Sequence, residues 1–179
     1  MGISLPSLPS ILAPIHLLSY SSLLGAQLYQ SFMLTKVAFN SLPRSSFRSL
    51  QKRVFTLYFQ GQTVLLVLTA LTIPPYGPGS LLAAKTTFTP FALAGVTAVL
   101  NLLVYGPRTQ RLMMERVHQA ARDGRKPGED DEDIEPSLEM QELNRSFRRN
   151  HAMSIHLNLL TIGAMMFWGW KLALALKSQ

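Results

Sequence analysis

Four stretches of this chain run without a single Asp, Glu, Lys or Arg: residues 1–35, 54–84, 86–107 and 150–170. Crossing a bilayer core takes roughly 20 mostly apolar residues in helical form, and each stretch is long enough. The pattern predicts an all-α integral membrane protein, a four-helix bundle with both termini on the same side. It forms one domain over 1–179, with helices at about 11–39, 54–73, 90–105 and 151–176 and a charged connector at 108–150. The first apolar stretch follows no basic leader and outruns a cleavable signal, so the first helix is expected to act as the insertion signal and stay.

The punctuation between these stretches is rich in proline. Pro43 has no amide donor and restrains the residue before it, so Leu42-Pro43-Arg44 ends the first helix. Ser45 or Ser46 then caps an interfacial turn through Phe47, Leu50 and Val54. Pro74, Pro75, Gly77, Pro78 and Gly79 end the second helix, and Gly106-Pro107 is expected to close the third. The connector that follows holds all ten acidic residues, six of them in 129–135, and reads as a solvated loop. Helical patterns flank it: Leu112, Met113 and Val117 before, Met140, Leu143 and Phe147 after, the latter feeding helix four. Trp168 and Trp170 are placed to anchor the far interface.

The spans are not uniformly apolar. His16, Tyr20, Gln27 and Gln30 fall on roughly one face of the first helix, and His151, Ser154, Asn158 and Thr161 form a second stripe on the last. Thr97 and Asn101, and Gln60, Gln62 and Thr63, are candidates from the middle helices, with Gln60, Asn101 and Asn158 expected in the same leaflet. An unpaired polar group in hydrocarbon costs several kcal/mol, so these stripes must face the bundle. Interhelical hydrogen bonds, on the order of 0.6–2 kcal/mol each, are the simplest use for them. The sharper use is a polar intramembrane ligand site built from His16, Tyr20, Gln27, Gln30, Asn101, His151, Ser154 and Asn158, with the histidines as ligand- or proton-handling groups. Gly25 and Gly95 are expected at close helix contacts.

A net charge of +7 invites nucleic acid as a partner, but 14 of the 17 basic residues sit in 36–53 and 108–149, the connectors between spans. That placement excludes a nucleic-acid surface and follows the positive-inside tendency, with the basic connectors cytosolic. Arg44, Arg48, Arg108, Arg111, Arg145, Arg148 and Arg149 flank the membrane and are candidates for anionic headgroups or a membrane-protein partner. Cysteine is absent, so no disulfide or thiolate metal site exists. His151 and His156 are five apart and do not share a helical face, and the spans contain no carboxylate. No catalytic residue, metal or cofactor is predicted; the partner is the lipid bilayer.

The helix boundaries carry a further signal. Leu42-Pro43-Arg44, Phe47, Gln51, Phe55 and Tyr58-Phe59, then Asn101, Pro107, Thr109 and Met113 or Met114, then Leu143, Phe147, His151, Ser154 and Asn158-Leu159 resemble three signatures of the transmembrane protein 205-like family. The resemblance spans about residues 16–165; Thr56 and Ala152 stand where that family usually has proline and glycine. It implies an intracellular membrane, the endoplasmic reticulum or the mitochondrial outer membrane, in a family associated with platinum-drug tolerance and without an established reaction. The expected role is structural, interacting or trafficking, without catalysis. The alternatives are a small-molecule or metal binder or transporter using the polar interior, and, from a more distant similarity to proteins related to anthrone oxygenases, a small membrane oxygenase.

Overall fold

The structure, a computed structural model, describes residues 7–124 and 135–177. The acidic run at 129–135, apart from Glu135, lies outside the described residues. Helix α1 spans Leu8–Ser41, α2 Arg44–Leu71, the short α3 Pro78–Ala83, α4 Lys85–Arg122 and α5 Leu138–Lys177. The four long helices are each long and apolar enough to cross a membrane. They form an antiparallel bundle in which α1 packs on α2 and α4 on α5. Leu17, Leu18, Phe32, Val64, Val67, Val96, Leu103 and Phe167 are exposed around its waist. Water would penalise that surface, whereas lipid does not; this is an integral membrane protein.

The helices are longer than expected at the basic end. Helix α2 begins at Arg44, with Pro43 as its N-cap residue and no side-chain cap from Ser45 or Ser46, so the interfacial turn is its first turns. Helix α4 begins at Lys85 and passes straight through Gly106-Pro107 to Arg122, while α5 begins at Leu138, well before His151. Proline breaks an α-helix by clashing with the carbonyl four residues back and withholding a donor. Here the turn before it, Asn101–Tyr105, is π-helical, a wider turn whose bonds reach five residues rather than four. The tight packing of that turn requires glycine at 106, where a Cβ would lie 2.6 Å from the Asn101 carbonyl oxygen. A second π turn, Tyr29–Leu34, interrupts α1, and Thr35 donates its hydroxyl to the Gln30 carbonyl oxygen five residues back at 2.9 Å.

At the end where both termini lie, the core is Tyr20, Leu23, Leu66, Phe91, Met165 and Trp168. Trp168 is only 6% exposed; it is a core residue and not the interfacial anchor expected, a position left to the exposed Trp170. Its indole N–H donates to His16 Nε2 at 3.1 Å, with the rings edge to face at 5.7 Å. Indole is only a donor, so Nε2 must accept and the proton sits on Nδ1. Nδ1 is 2.9 Å from the Thr69 carbonyl oxygen, one of the carbonyls the last turn of α2 leaves without a helical donor. His16 thus caps α2 and receives Trp168, and both of its nitrogens are used. Lys171 plays the same part at the start of α4: Pro90 has no N–H for the Thr86 carbonyl four residues back, and Lys171 Nζ donates to it at 2.9 Å.

Gly25 and Gly95 are not close-approach positions, since a Cβ at either meets nothing within 4 Å. Gly169 is one: a Cβ there would stand 1.9 Å from the Tyr20 hydroxyl, which donates to the Met165 carbonyl oxygen at 3.1 Å. Gly169→Ala is therefore expected to lower the thermal midpoint in detergent, by an overpacking cost of about 1–3 kcal/mol. Gly25→Ala should leave it unchanged or raise it, since alanine is the better helix former. Equal midpoints for the two variants would contradict this packing. His16→Leu strands the buried Trp168 indole N–H at a cost of about 1–3 kcal/mol and leaves the Thr69 carbonyl only the Thr72 hydroxyl, at 3.3 Å; its thermal midpoint should fall below that of Tyr20→Phe, which removes a hydroxyl together with its bond.

Candidate functional site

Midway along the bundle, polar side chains from all four long helices meet in one layer. Asn158 on α5 is its hub: Oδ1 accepts from the Tyr58 hydroxyl at 2.7 Å and from Gln62 Nε2 at 3.2 Å, both on α2. Its Nδ2 donates to Ser31 Oγ on α1 at 2.8 Å. Beside it, Asn101 Nδ2 on α4 donates to the Ser154 carbonyl oxygen at 2.9 Å, and the Thr97 and Thr161 hydroxyls lie 2.7 Å apart. Both π turns border this layer, Tyr29–Leu34 containing Ser31 and Asn101–Tyr105 opening with Asn101. A π turn rotates the following residues relative to a regular helix, and such turns recur at functional sites.

The layer is not fully satisfied. Gln27 is completely buried, yet neither its Nε2 nor its Oε1 has a partner among the described residues. Gln30 Nε2, Gln62 Oε1 and Asn101 Oδ1 are likewise buried without partners. Each such group carries a desolvation cost of about 1–3 kcal/mol unless water or a ligand meets it.

Toward the basic end the helices splay into a cavity of about 760 Å³. Its wall comes from the ends of α1 and α2 and from the parts of α4 and α5 beyond the sequence-predicted spans. Ser31 lines it, which joins the cavity to the amide layer. Phe39, Phe47, Phe55, Met113 and Phe147 give it an apolar wall; Lys36, Arg44, Arg48, Lys52 and Arg116 give it five cations, and no Asp or Glu among the described residues lines it. Four of the residues that line it also carry a buried side-chain atom with no partner among the described residues: Gln51 Oε1, Thr109 Oγ1, Arg116 Nε and Asn144 Oδ1. The Arg116 guanidinium sits 4.7 Å from the centre of the Phe147 ring, which in turn stacks on His151 at 5.4 Å.

The sequence-predicted site residues therefore divide among three places. His16 and Tyr20 belong to the core at the terminal end, with their polar atoms engaged in structural bonds. Gln27, Gln30, Asn101, Ser154 and Asn158 belong to the layer, together with Gln62. Gln60, expected there, is exposed on the outer face of α2. His151 alone of the predicted polar set lines the cavity. His156 is exposed, with Nδ1 against the Ala152 carbonyl oxygen at 2.6 Å, and no group of three or more metal-ligating side chains occurs among the described residues. Of the arginines, Arg44 and Arg48 line the cavity, whereas Arg108, Arg111, Arg145, Arg148 and Arg149 are exposed at the basic end. Sequence reasoning missed Tyr58, Gln51 and Arg116 as site residues. Tyr58 and Gln51 stood in a signature, but Arg116 is one of nine basic residues in 108–149 and nothing in its neighbourhood singled it out.

Residues 18–118 match a domain of unknown function, DUF4149. Xanthocillin biosynthesis cluster protein D of Aspergillus fumigatus is 38% identical over 167 residues, which covers 93% of this chain and 92% of the relative. No solved structure matches. With more than half of its length matched, this multi-pass membrane protein belongs to the DUF4149 family.

Proposed function

We propose that this protein binds a small organic molecule in its basic-end cavity and hands it on within an intracellular membrane, without transforming it. One observation carries the reading: a cavity of about 760 Å³ with aromatic walls and buried polar atoms that lack partners. Small-molecule sites have volumes of about 300–1,000 Å³, mostly apolar linings and a few convergent polar groups. A purely structural bundle has no use for such a space, since open volume forfeits dispersion contacts and leaves the polar atoms in it unsatisfied.

Two further facts support the reading. Phe47, Gln51, Phe55, Thr109, Met113, Phe147 and His151 all line the cavity, and all belong to the residues on which the resemblance to the transmembrane protein 205-like family rests; we take that kinship as part of the proposal. The relative's name places it in a biosynthesis cluster, which fits a protein that handles a small organic compound. The membrane is the endoplasmic reticulum or the mitochondrial outer membrane, with the arginine-rich end and the cavity mouth in the cytosol by the positive-inside tendency. There the exposed Arg108, Arg111 and Arg149 meet anionic headgroups.

Native mass spectrometry of the protein released from nanodiscs tests this. Wild type is expected to carry one small-molecule adduct per chain, and Met113→Trp with Val117→Trp, which fills the cavity from its wall, should lose most of it while keeping the thermal midpoint. A bare wild-type mass, or the same adduct occupancy in the filled variant, would rule the cavity out as the binding site.

A further inference from the structure

The cavity's chemistry narrows what it holds, an inference that rests on the binding role just proposed. Arg48 and Arg116 line the same cavity, Arg116 is partly desolvated there, and the like charges of Arg48 and of the exposed Arg148 act on it. Arg48 donates its Nε–H to the Arg44 carbonyl oxygen at 3.2 Å. Arg116 lies over the Phe147 ring with Nε unpartnered. Folding alone does not favour like charges crowded at a partly desolvated wall, because their repulsion is stronger there than in water. An anion between them reverses the sign of the energy, and a guanidinium fork matches a carboxylate or phosphate in two parallel hydrogen bonds.

The rest of the wall describes the rest of the ligand. Phe39, Phe47, Phe55, Met113, Val117 and Met140 present an apolar surface in continuity with the membrane-spanning part of the bundle. Gln51 is 7% exposed and its Oε1 has no partner. A half-turn of its amide presents N–H donors in place of the oxygen, so it can serve an anionic head or water beside one. The volume is too small for the whole of a two-chain phospholipid.

We infer that the cavity is a site for a single-bodied anionic amphiphile, with its carboxylate or phosphate head held by Arg48 and Arg116 and its apolar body against the phenylalanine and methionine wall. Such a ligand differs from a bilayer headgroup in that its apolar part lies against the protein wall.

The test uses full-length protein in phosphatidylcholine nanodiscs, titrated with dodecanoate, dodecyl phosphate and dodecanol and read by native mass spectrometry. At least one of the two anions is expected to bind one per chain at least tenfold more tightly than the alcohol; the tighter head separates an acid from a phosphorylated source. Arg48→Gln with Arg116→Gln should weaken anion binding at least tenfold and leave dodecanol unchanged. Arg48→Lys with Arg116→Lys keeps the charge and should keep the preference for anions over the alcohol, which controls for misfolding. Dodecanol binding as tightly as both anions, or undiminished anion binding in the glutamine variant, would overturn the anionic head and leave the cavity reading standing. Absence of binding by all three probes would overturn both.

Discussion

Everything in this bundle follows from one constraint: a polar group carried into hydrocarbon must find its partner inside the protein, because lipid offers none. The constraint reaches backbone and side chain alike. The Thr69 carbonyl in the last turn of α2 is met by His16, and the carbonyl that Pro90 strands at the start of α4 is met by Lys171. These bonds tie α1 to α2 and α5 to α4, so the same contacts that satisfy helix ends also set how the helices pack. His16 then takes the indole proton of Trp168 and brings α5 against α1. One imidazole links three helices and has no nitrogen left for chemistry. An ionisable residue inside a membrane is a functional candidate by default, but here the hydrogen-bond inventory gives it structural work.

The same constraint makes the opposite end informative. At the terminal end, the Thr69 and Thr86 carbonyls are answered; in the middle layer and among the residues lining the basic-end cavity several buried atoms have no partner among the described residues. The change coincides with the two π turns, which turn Gln30, Ser31 and Asn101 inward. A regular helix would put fewer of these side chains toward the axis. The bundle therefore grades from a dry, apolar core around Leu23 and Met165, through a hydrogen-bonded amide layer, to an open cationic cavity. Ser31 belongs to both the second and the third of these regions.

The four spans were legible because a bilayer core demands roughly 20 residues free of charge, and a water-soluble helix must carry charge on its outer face. The polar stripes were legible as facing inward, since Gln27, Asn101, Ser154 and Asn158 could not face lipid. What periodicity could not resolve was partnership. Gln60 and Gln62 are two apart on one helix, and only the structure shows that 62 is buried in the bundle and 60 exposed. Gly25 and Gly169 look alike as letters, yet only the second faces a tyrosine hydroxyl. Trp168 and Trp170 stand where an aromatic belt belongs, but a two-residue step turns a helix by more than half a revolution, so one enters the core. Proline at 107 was read as a stop because a π turn leaves no composition signature.

The least legible part is the one that holds the proposed binding cavity. Beyond Gly106 and before His151 the chain is charged, and charge beside a membrane reads as connector. In fact α4 and α5 continue there as packed helices, amphipathic rather than apolar, and their apolar faces are what Met113, Val117, Met140 and Phe147 contribute to the cavity. A span that ended at the interface would leave only the ends of α1 and α2, too little to enclose a ligand. The extension also brings Arg116 back over Phe147 and toward Arg48, which sequence spacing places 68 residues away. Length beyond what the bilayer requires is thus the feature that gives this membrane bundle an open cationic cavity.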